Sequence, residues 1–413
     1  MGAVAEDAAD AVAAAFRAEW GRIVATLIRV TGDWDLAEEC AQDAFARALD
    51  RWPRDGVPAK PGAWLTTTAR NRAMDRLRRA RTEAAKLRQL AVTADDGPPG
   101  PRDDSGIRDD RLRLIFTCCH PSLPLDARVA LTLRTLTGLT TAEIARAFLV
   151  GDQAMAKRLV RAKAKIRDAR IPYRVPPAPL LPERTAGVLA VLYLLFNEGY
   201  SATEGTDMIR TGLCAEAIRL ARLLVELMPD EPEARGLLAL MLLHDARRAG
   251  RVNAAGALVP LEEQDRTRWN AATVAEGLAV LGPLRRHGFY RLQAAIAACH
   301  AAAPTAADTD WPRIARLYER LLSEAPSPVV ELNLAVARAM TEGPAVGLRL
   351  IAALESSGAL AGYHLLPATR ADLLRRLGRD AEAAAAYREA LALAASDPER
   401  AYLARRLRET GGG

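Results

Sequence analysis

Apolar residues recur along most of the chain at helical intervals, not with the alternation of a strand. Between Leu139 and Arg170 the pattern is sharpest: Met155, Leu159, Ala162 and Ile166 form one stripe. Ala154, Arg158, Arg161 and Lys165 fall on another face, with Lys157 beside it. Ala and Leu dominate the apolar positions, only 5% of residues are aromatic, and strand formers are sparse. An all-α fold follows. At 413 residues the chain has room for two or three cores.

Breaks in the pattern divide the chain. A loop at Arg51–Gly62 holds Pro53, Gly56, Pro58, Pro61 and Gly62. Residues 94–110 are rich in Asp, Gly and Pro and nearly free of apolar side chains, so they read as a flexible acidic linker. Pro172, Pro176, Pro177, Pro179 and Pro182 mark a second boundary. The expected parts are a helical domain over 8–88, the linker over 89–109, a second helical domain over 110–171, and a helical tail over 183–413. In the tail, Ala371–Arg379 followed by Glu382–Leu391 fits the helix pair of a tetratricopeptide repeat. Tyr318 and Tyr387 lie 69 residues apart, two periods of about 34. A plain Ala/Leu-rich bundle is the alternative, and it weighs more for residues 183–300.

The charge, +6 overall, is unevenly spread. Eight bases between Arg70 and Arg88 face only Asp75 and Glu83, and seven between Lys157 and Arg170 face only Asp168. Two basic segments flanking an acidic linker suit two contacts on one polyanion; a solvated helix face is the plainer reading of either alone. In the first segment Arg72, Arg76 and Arg79 share a helix side that can hold a phosphate backbone. Asn71 can hydrogen-bond a base, and Trp64 either stacks on one or is buried between helices. In the second, Thr140 and Glu143 have capping-box spacing, Gly151 permits a turn, and Asp152 is placed to cap the next helix. The result is a helix-turn-helix with a basic outward face suited to the major groove. A third segment, Leu36–Phe45, is acidic: Glu38 pairs by spacing with Gln42 and Glu39 with Asp43, and no base lies between Arg29 and Arg47. Such a face suits a basic protein partner better than DNA.

In this order the three segments resemble a bacterial RNA polymerase sigma factor. Leu36–Phe45 resembles the region 2 helix that binds the polymerase clamp. Trp64–Arg79 resembles the segment that melts and reads the −10 element, and Leu139–Lys165 the region 4 helix-turn-helix that reads the −35 element. Two regions joined without region 3 are the layout of the extracytoplasmic-function (group IV) type. The tail, with Tyr193–Tyr200 and tetratricopeptide-like repeats, resembles the subgroup with a large C-terminal extension. By this resemblance Glu38, Glu39, Gln42 and Asp43 contact core polymerase. Trp64, Arg70, Asn71, Arg72, Arg76 and Arg79 handle the −10 strand, with the Arg51–Gly62 loop capturing a flipped base. Gln153, Lys157, Arg158, Arg161 and Lys165 lie in the −35 groove. Two departures stand out: Cys40 replaces a usual large aliphatic residue, and Ala156 stands where many relatives carry a base. The implied partners are core RNA polymerase and promoter DNA. The tail either docks on the sigma regions or takes an unknown protein, peptide or small molecule, with activation and inhibition both open.

Other readings are bounded by what the sequence lacks. It has no glycine-rich phosphate loop, paired-carboxylate site or nucleophile triad, so no enzyme, catalytic residue, cofactor or metal is expected. The rival reading is a helix-turn-helix activator with a repeat sensor, which needs neither Leu36–Phe45 nor Trp64–Arg79. Five scattered cysteines and the absence of a secretory pattern point to reduced thiols in a cytoplasmic protein. The longest apolar run, Val188–Phe196, is too short to span a membrane. Cys118-Cys119-His120-Pro121 reads as the packed end of a helix, with metal or redox sensing as the lesser alternative. Asn197-Glu198-Gly199 is either a helix C-terminus with Gly199 left-handed or a contact between the tail and the sigma regions.

Overall fold

The computed structural model describes residues 2–90, 110–148, 150–201, 208–251, 253, 259–283, 288–394 and 397–411. Among these the chain forms eighteen α-helices and no strand. Two compact units result, Met1–Leu194 and Leu195–Gly413. The linker expected at 89–109 lies almost wholly outside the described residues, as do the side chains of Lys86 and Arg88.

The first unit opens with α1 (Gly2–Thr31), α2 (Trp34–Asp55) and α3 (Pro61–Leu90). Asp33 caps α2, its carboxylate accepting from the N–H groups of Asp35 and Leu36 at 2.9 and 3.0 Å. The expected loop at Arg51–Gly62 is shorter in fact. Helix α2 runs through Pro53 to Asp55, because buried Trp52 stacks edge-on against Trp64 at 5.7 Å and holds the last turn in place. Proline then sits at the first position of α3, where its missing N–H costs nothing. Ala37, Cys40, Ala41, Ala44 and Ala48 give α2 a slim inner face that lets α1 and α3 close on it. Trp20, Ile23, Val24 and Leu27 from α1 and Leu65, Ala69 and Ala73 from α3 complete the core.

Next come α4 (Asp110–Cys118), α5 (Leu125–Thr132), a π-helical turn (Leu133–Thr137), α6 (Thr141–Ala147) and α7 (Asp152–Asp168). Every residue of α4 from Leu112 to Cys118 is buried, Arg113 and Thr117 included. A helix buried all round has packed neighbours on every side; here they are α1 together with α5 and the π turn. The unit boundary falls inside α8 (Leu181–Ser201). Gly199 is therefore interior to a helix and not its left-handed terminus, which removes one of the two readings of Asn197-Glu198-Gly199. By length and composition Ala178–Tyr200 is apolar enough to cross a bilayer, contrary to expectation. Its polar side chains are nonetheless used within the protein: Arg184 donates to the carbonyl of Phe116 at 2.6 Å, and Val188 and Val191 are fully buried.

The second unit contains α9 (Met208–Leu227), α10 (Pro232–Asp245), α11 (Ala271–Leu281), α12 (Phe289–Ala302), α13 (Trp311–Glu324), α14 (Pro328–Glu342), α15 (Pro344–Ser357), α16 (Leu365–Arg376), α17 (Asp380–Leu393) and α18 (Asp397–Glu409). From α12 onward each helix packs on the next. Helices α13, α15 and α17 each have fourteen residues. Tyr318 and Tyr387 stand at the same place in α13 and α17, seven residues after Trp311 and Asp380. Tyr200 at the end of α8 is held by α10 and the turn after it: Arg251 lies 3.8 Å over its ring and Arg247 donates to its hydroxyl at 3.2 Å. Glu262 and Glu263 reach Arg376, Arg405 and Arg406, tying the segment before α11 to α16 and α18.

Candidate nucleic-acid interface

The helix-turn-helix forms for the local reasons its sequence gives. Glu143 N–H donates to the Thr140 hydroxyl at 3.2 Å while the Glu143 carboxylate accepts from the Thr140 N–H at 2.7 Å, a complete capping box. The cap of α7 differs from expectation: Gly151 takes the capping position and Asp152 becomes the first residue of the helix, where its charge favours the helix dipole. Met155, Leu159, Ala162 and Ile166 are the buried stripe. Thr140→Ala is expected to lower stability by about 1 kcal/mol, measured as a shift in denaturant midpoint at constant slope. No shift would mean that α6 is held by packing alone.

With that stripe inward, Gln153, Lys157, Arg158, Arg161 and Lys165 line one groove with Ser122–Pro124 and Asp126, of 860 Å³. The groove brings the whole predicted −35 set together. One member is already engaged: Arg158 Nε lies 3.1 Å from the Asp126 carboxylate. Arg161, Lys157, Lys165 and Gln153 are exposed.

On the other helices the two predicted sets meet each other. Arg72 pairs with Asp43 at 2.9 Å, and Arg76 bridges to Glu39 and, at 3.6 Å, to Asp43. The acidic face of α2 thus lacks local basic neighbours but has them from α3. Gln42, Arg70, Asn71 and Arg79 are exposed, and Trp64 is half-buried against Trp52. Cys40 is buried beneath this layer, and burial raises its thiol pKa.

Glu38 stands apart from the rest of its set. It is 5% exposed, its Oε2 accepts from Arg134 Nε at 3.1 Å, and Lys163 Nζ lies 2.9 Å from its Oε1. Lys163 also reaches Asp35 at 2.8 Å. In the sequence Lys163 is only one of the seven bases of the second basic segment, and Arg134 and Asp35 carry no mark, because pairs 96 and 128 residues apart leave no local spacing signal.

Cys118 and Cys119 are buried at the end of α4, and Cys119 Sγ lies 3.7 Å from the Thr132 hydroxyl. Desolvation pushes the Cys119 thiol up to about 11, the opposite of what a reactive or metal-binding thiol needs. His120 Nδ1 accepts the N–H of Ser122 at 3.2 Å, shaping the turn into α5. Among the described residues no cluster of His, Cys, Asp and Glu is placed to hold a metal ion.

Residues 6–83 match the family pattern of Sigma-70 region 2, residues 113–166 that of Sigma-70, region 4, and residues 184–283 a family of unknown function (DUF6596). Over 384 residues the chain is 45% identical to an uncharacterized protein of Rhizobium meliloti (strain 1021), covering 91% of this chain and 90% of that one. It is 32% identical to the probable RNA polymerase sigma factor RfaY of Xanthomonas campestris, over 38% of this chain and 41% of that one. It is 31% identical to the probable ECF RNA polymerase sigma factor SigI of Mycobacterium tuberculosis, over 41% of this chain and 59% of that one. The match thus spans about half the length of each of these two named sigma factors. No solved structure matches the chain. Region 2 followed by region 4 is the domain order of a promoter-specific transcription initiation factor. The chain belongs to the sigma-70 family, and within it to the extracytoplasmic-function type with a large C-terminal extension.

Proposed function

We propose that this cytoplasmic, non-catalytic protein recruits core RNA polymerase through α2, opens the −10 element with α3 and reads the −35 element with α7. The observation that carries this is the groove on α5 and α7, where one wall gathers Gln153, Lys157, Arg158, Arg161 and Lys165. Base-edge donors on a helix with an apolar back suit major-groove readout. On α3, exposed Arg70, Asn71 and Arg79 are positioned for single-stranded DNA, while Arg72 and Arg76 serve it only after leaving Asp43 and Glu39. The functional parts run over 8–88, 110–171 and 183–413. The tail is a tetratricopeptide-like module, supported by the matched places of Tyr318 and Tyr387, and it regulates the other two by docking on them or by taking a protein or peptide partner.

Transcription in vitro tests this reading. Core enzyme plus the full chain is expected to start at defined sites on DNA carrying its own promoter, and core enzyme alone is not. Binding to that DNA without any association with core enzyme would instead make the chain a helix-turn-helix activator.

A further inference from the structure

We infer that the Asp35–Glu38 end of α2 is the docking surface for the promoter-reading domain of the same chain, so that α4–α7 and core polymerase compete for α2. This rests on the proposed role of α2 as the polymerase-binding helix. Glu38 is a buried carboxylate whose two basic neighbours, Arg134 and Lys163, both come from the −35-reading domain. A buried carboxylate without its cations is strongly disfavoured, so this contact depends on the two domains being together. Lys163 is not among the residues lining the DNA groove, so α7 uses one face for DNA and another for α2.

The backbone carries a second, independent sign. Gly21 lies inside the 30-residue, alanine-rich α1, where glycine costs about 1 kcal/mol relative to alanine. A Cβ at that position would stand 2.7 Å from the Leu136 carbonyl oxygen of the π turn. Across the same contact Gly138, at φ +79°, leaves room for the rings of Phe16 and Trp20. Arg29 pairs with Asp110 at 2.9 Å, and the Tyr173 hydroxyl donates to the Ala25 carbonyl at 2.9 Å. Close glycine approach and polar pairs across the contact are the features of a fitted interface.

Competition follows from size. A protein partner covers on the order of 800 Å² on each side, far more than a single helical turn. A polymerase seated on Glu39, Gln42 and Asp43 therefore overlaps the footprint of α7 on Asp35 and Glu38. Apparent affinity for core enzyme is then the intrinsic affinity reduced by the open fraction, and any change that loosens the closed form raises it.

The test uses the full chain with Lys163→Glu and, separately, Gly21→Leu. The first sets like charges together at Glu38. The second strengthens α1 as a helix while filling the space taken by Leu136. Two readouts are taken: alkylation of Cys118 by iodoacetamide, resolved by peptide mass spectrometry, and the dissociation constant for core enzyme. Cys118 is buried in α4 near Glu38 and Lys163, so its labelling reports separation without any polymerase. With helix content unchanged, both variants are expected to label faster and to bind core enzyme about fivefold tighter or more. Unchanged labelling in both overturns the closed interface. Faster labelling with unchanged core affinity overturns the competition. Glu39→Lys with Asp43→Lys is the separate arm for α2: if it leaves core affinity untouched, the assignment of α2 to polymerase fails, while the labelling still decides whether the chain closes on itself.

Discussion

Trp20→Ala is expected to destabilise the N-terminal unit by about 3–5 kcal/mol, a large part of the roughly 5–15 kcal/mol that holds a typical domain. Trp20 is 2% exposed, with ring centroids 4.9 Å from Phe16 and 6.1 Å from Phe45. It also lies under Gly138 of the π turn, so its removal opens a cavity where α1, α2 and that turn meet. Truncation forfeits the transfer of a large apolar side chain and leaves a void that rigid helices cannot close. Trp20→Phe is the informative companion. The indole N–H has no hydrogen-bond partner, and an unsatisfied buried donor costs about 1–3 kcal/mol. Its loss offsets part of the lost volume, so the phenylalanine variant is expected to sit much closer to the parent. Guanidinium titration followed by far-ultraviolet circular dichroism measures both. Equal losses in the two variants would show that the indole is not packed as described.

Arg161→Ala is expected to weaken specific promoter binding by about 1–3 kcal/mol, a fall of roughly 5- to 150-fold, if its guanidinium pairs with a guanine edge. Arg161 is exposed on the groove wall and makes no ion pair among the described residues. Arg158 starts from a different place, since Asp126 holds it at 3.1 Å. It has to exchange a carboxylate for DNA, so Arg158→Ala is expected to cost less than Arg161→Ala. Asp126→Asn is expected to tighten binding by freeing Arg158. Binding of the polymerase–protein complex to promoter DNA, compared with DNA scrambled at the −35 element, separates base reading from backbone contact. A pure phosphate contact loses affinity equally on both DNAs and lowers the salt slope by about one. That pattern at Arg161 would move base readout to another residue of the groove.

Much of this architecture was legible because helix formation is decided within a few turns. The stripe Met155, Leu159, Ala162 and Ile166 needed only helical spacing to be read as the buried face of α7. The capping box at Thr140 and Glu143 was equally plain, its partners being three residues apart. The −35 set came together because all its members sit on one helix. Local rules misjudged ends instead: Pro53 and Gly199 both look like stops, yet packing of Trp52 and of the Phe196–Tyr200 turn carries each helix past them.

The all-α class, the basic face of α7 and the acidic helix were thus determined by the sequence alone, through spacing and charge along single helices. The pairing of those faces was decided only in three dimensions. Nothing near Leu36–Phe45 announces that Arg72 and Arg76 neutralise Asp43 and Glu39, or that Arg134 and Lys163 enclose Glu38. No local rule calls for glycine at position 21 of an alanine-rich helix; the Leu136 carbonyl packed against Gly21 does. Periodicity fixes which way a side chain points along its own helix. What it meets there depends on contacts made across tens of residues of chain, and those are selected by the packing of the folded unit as a whole.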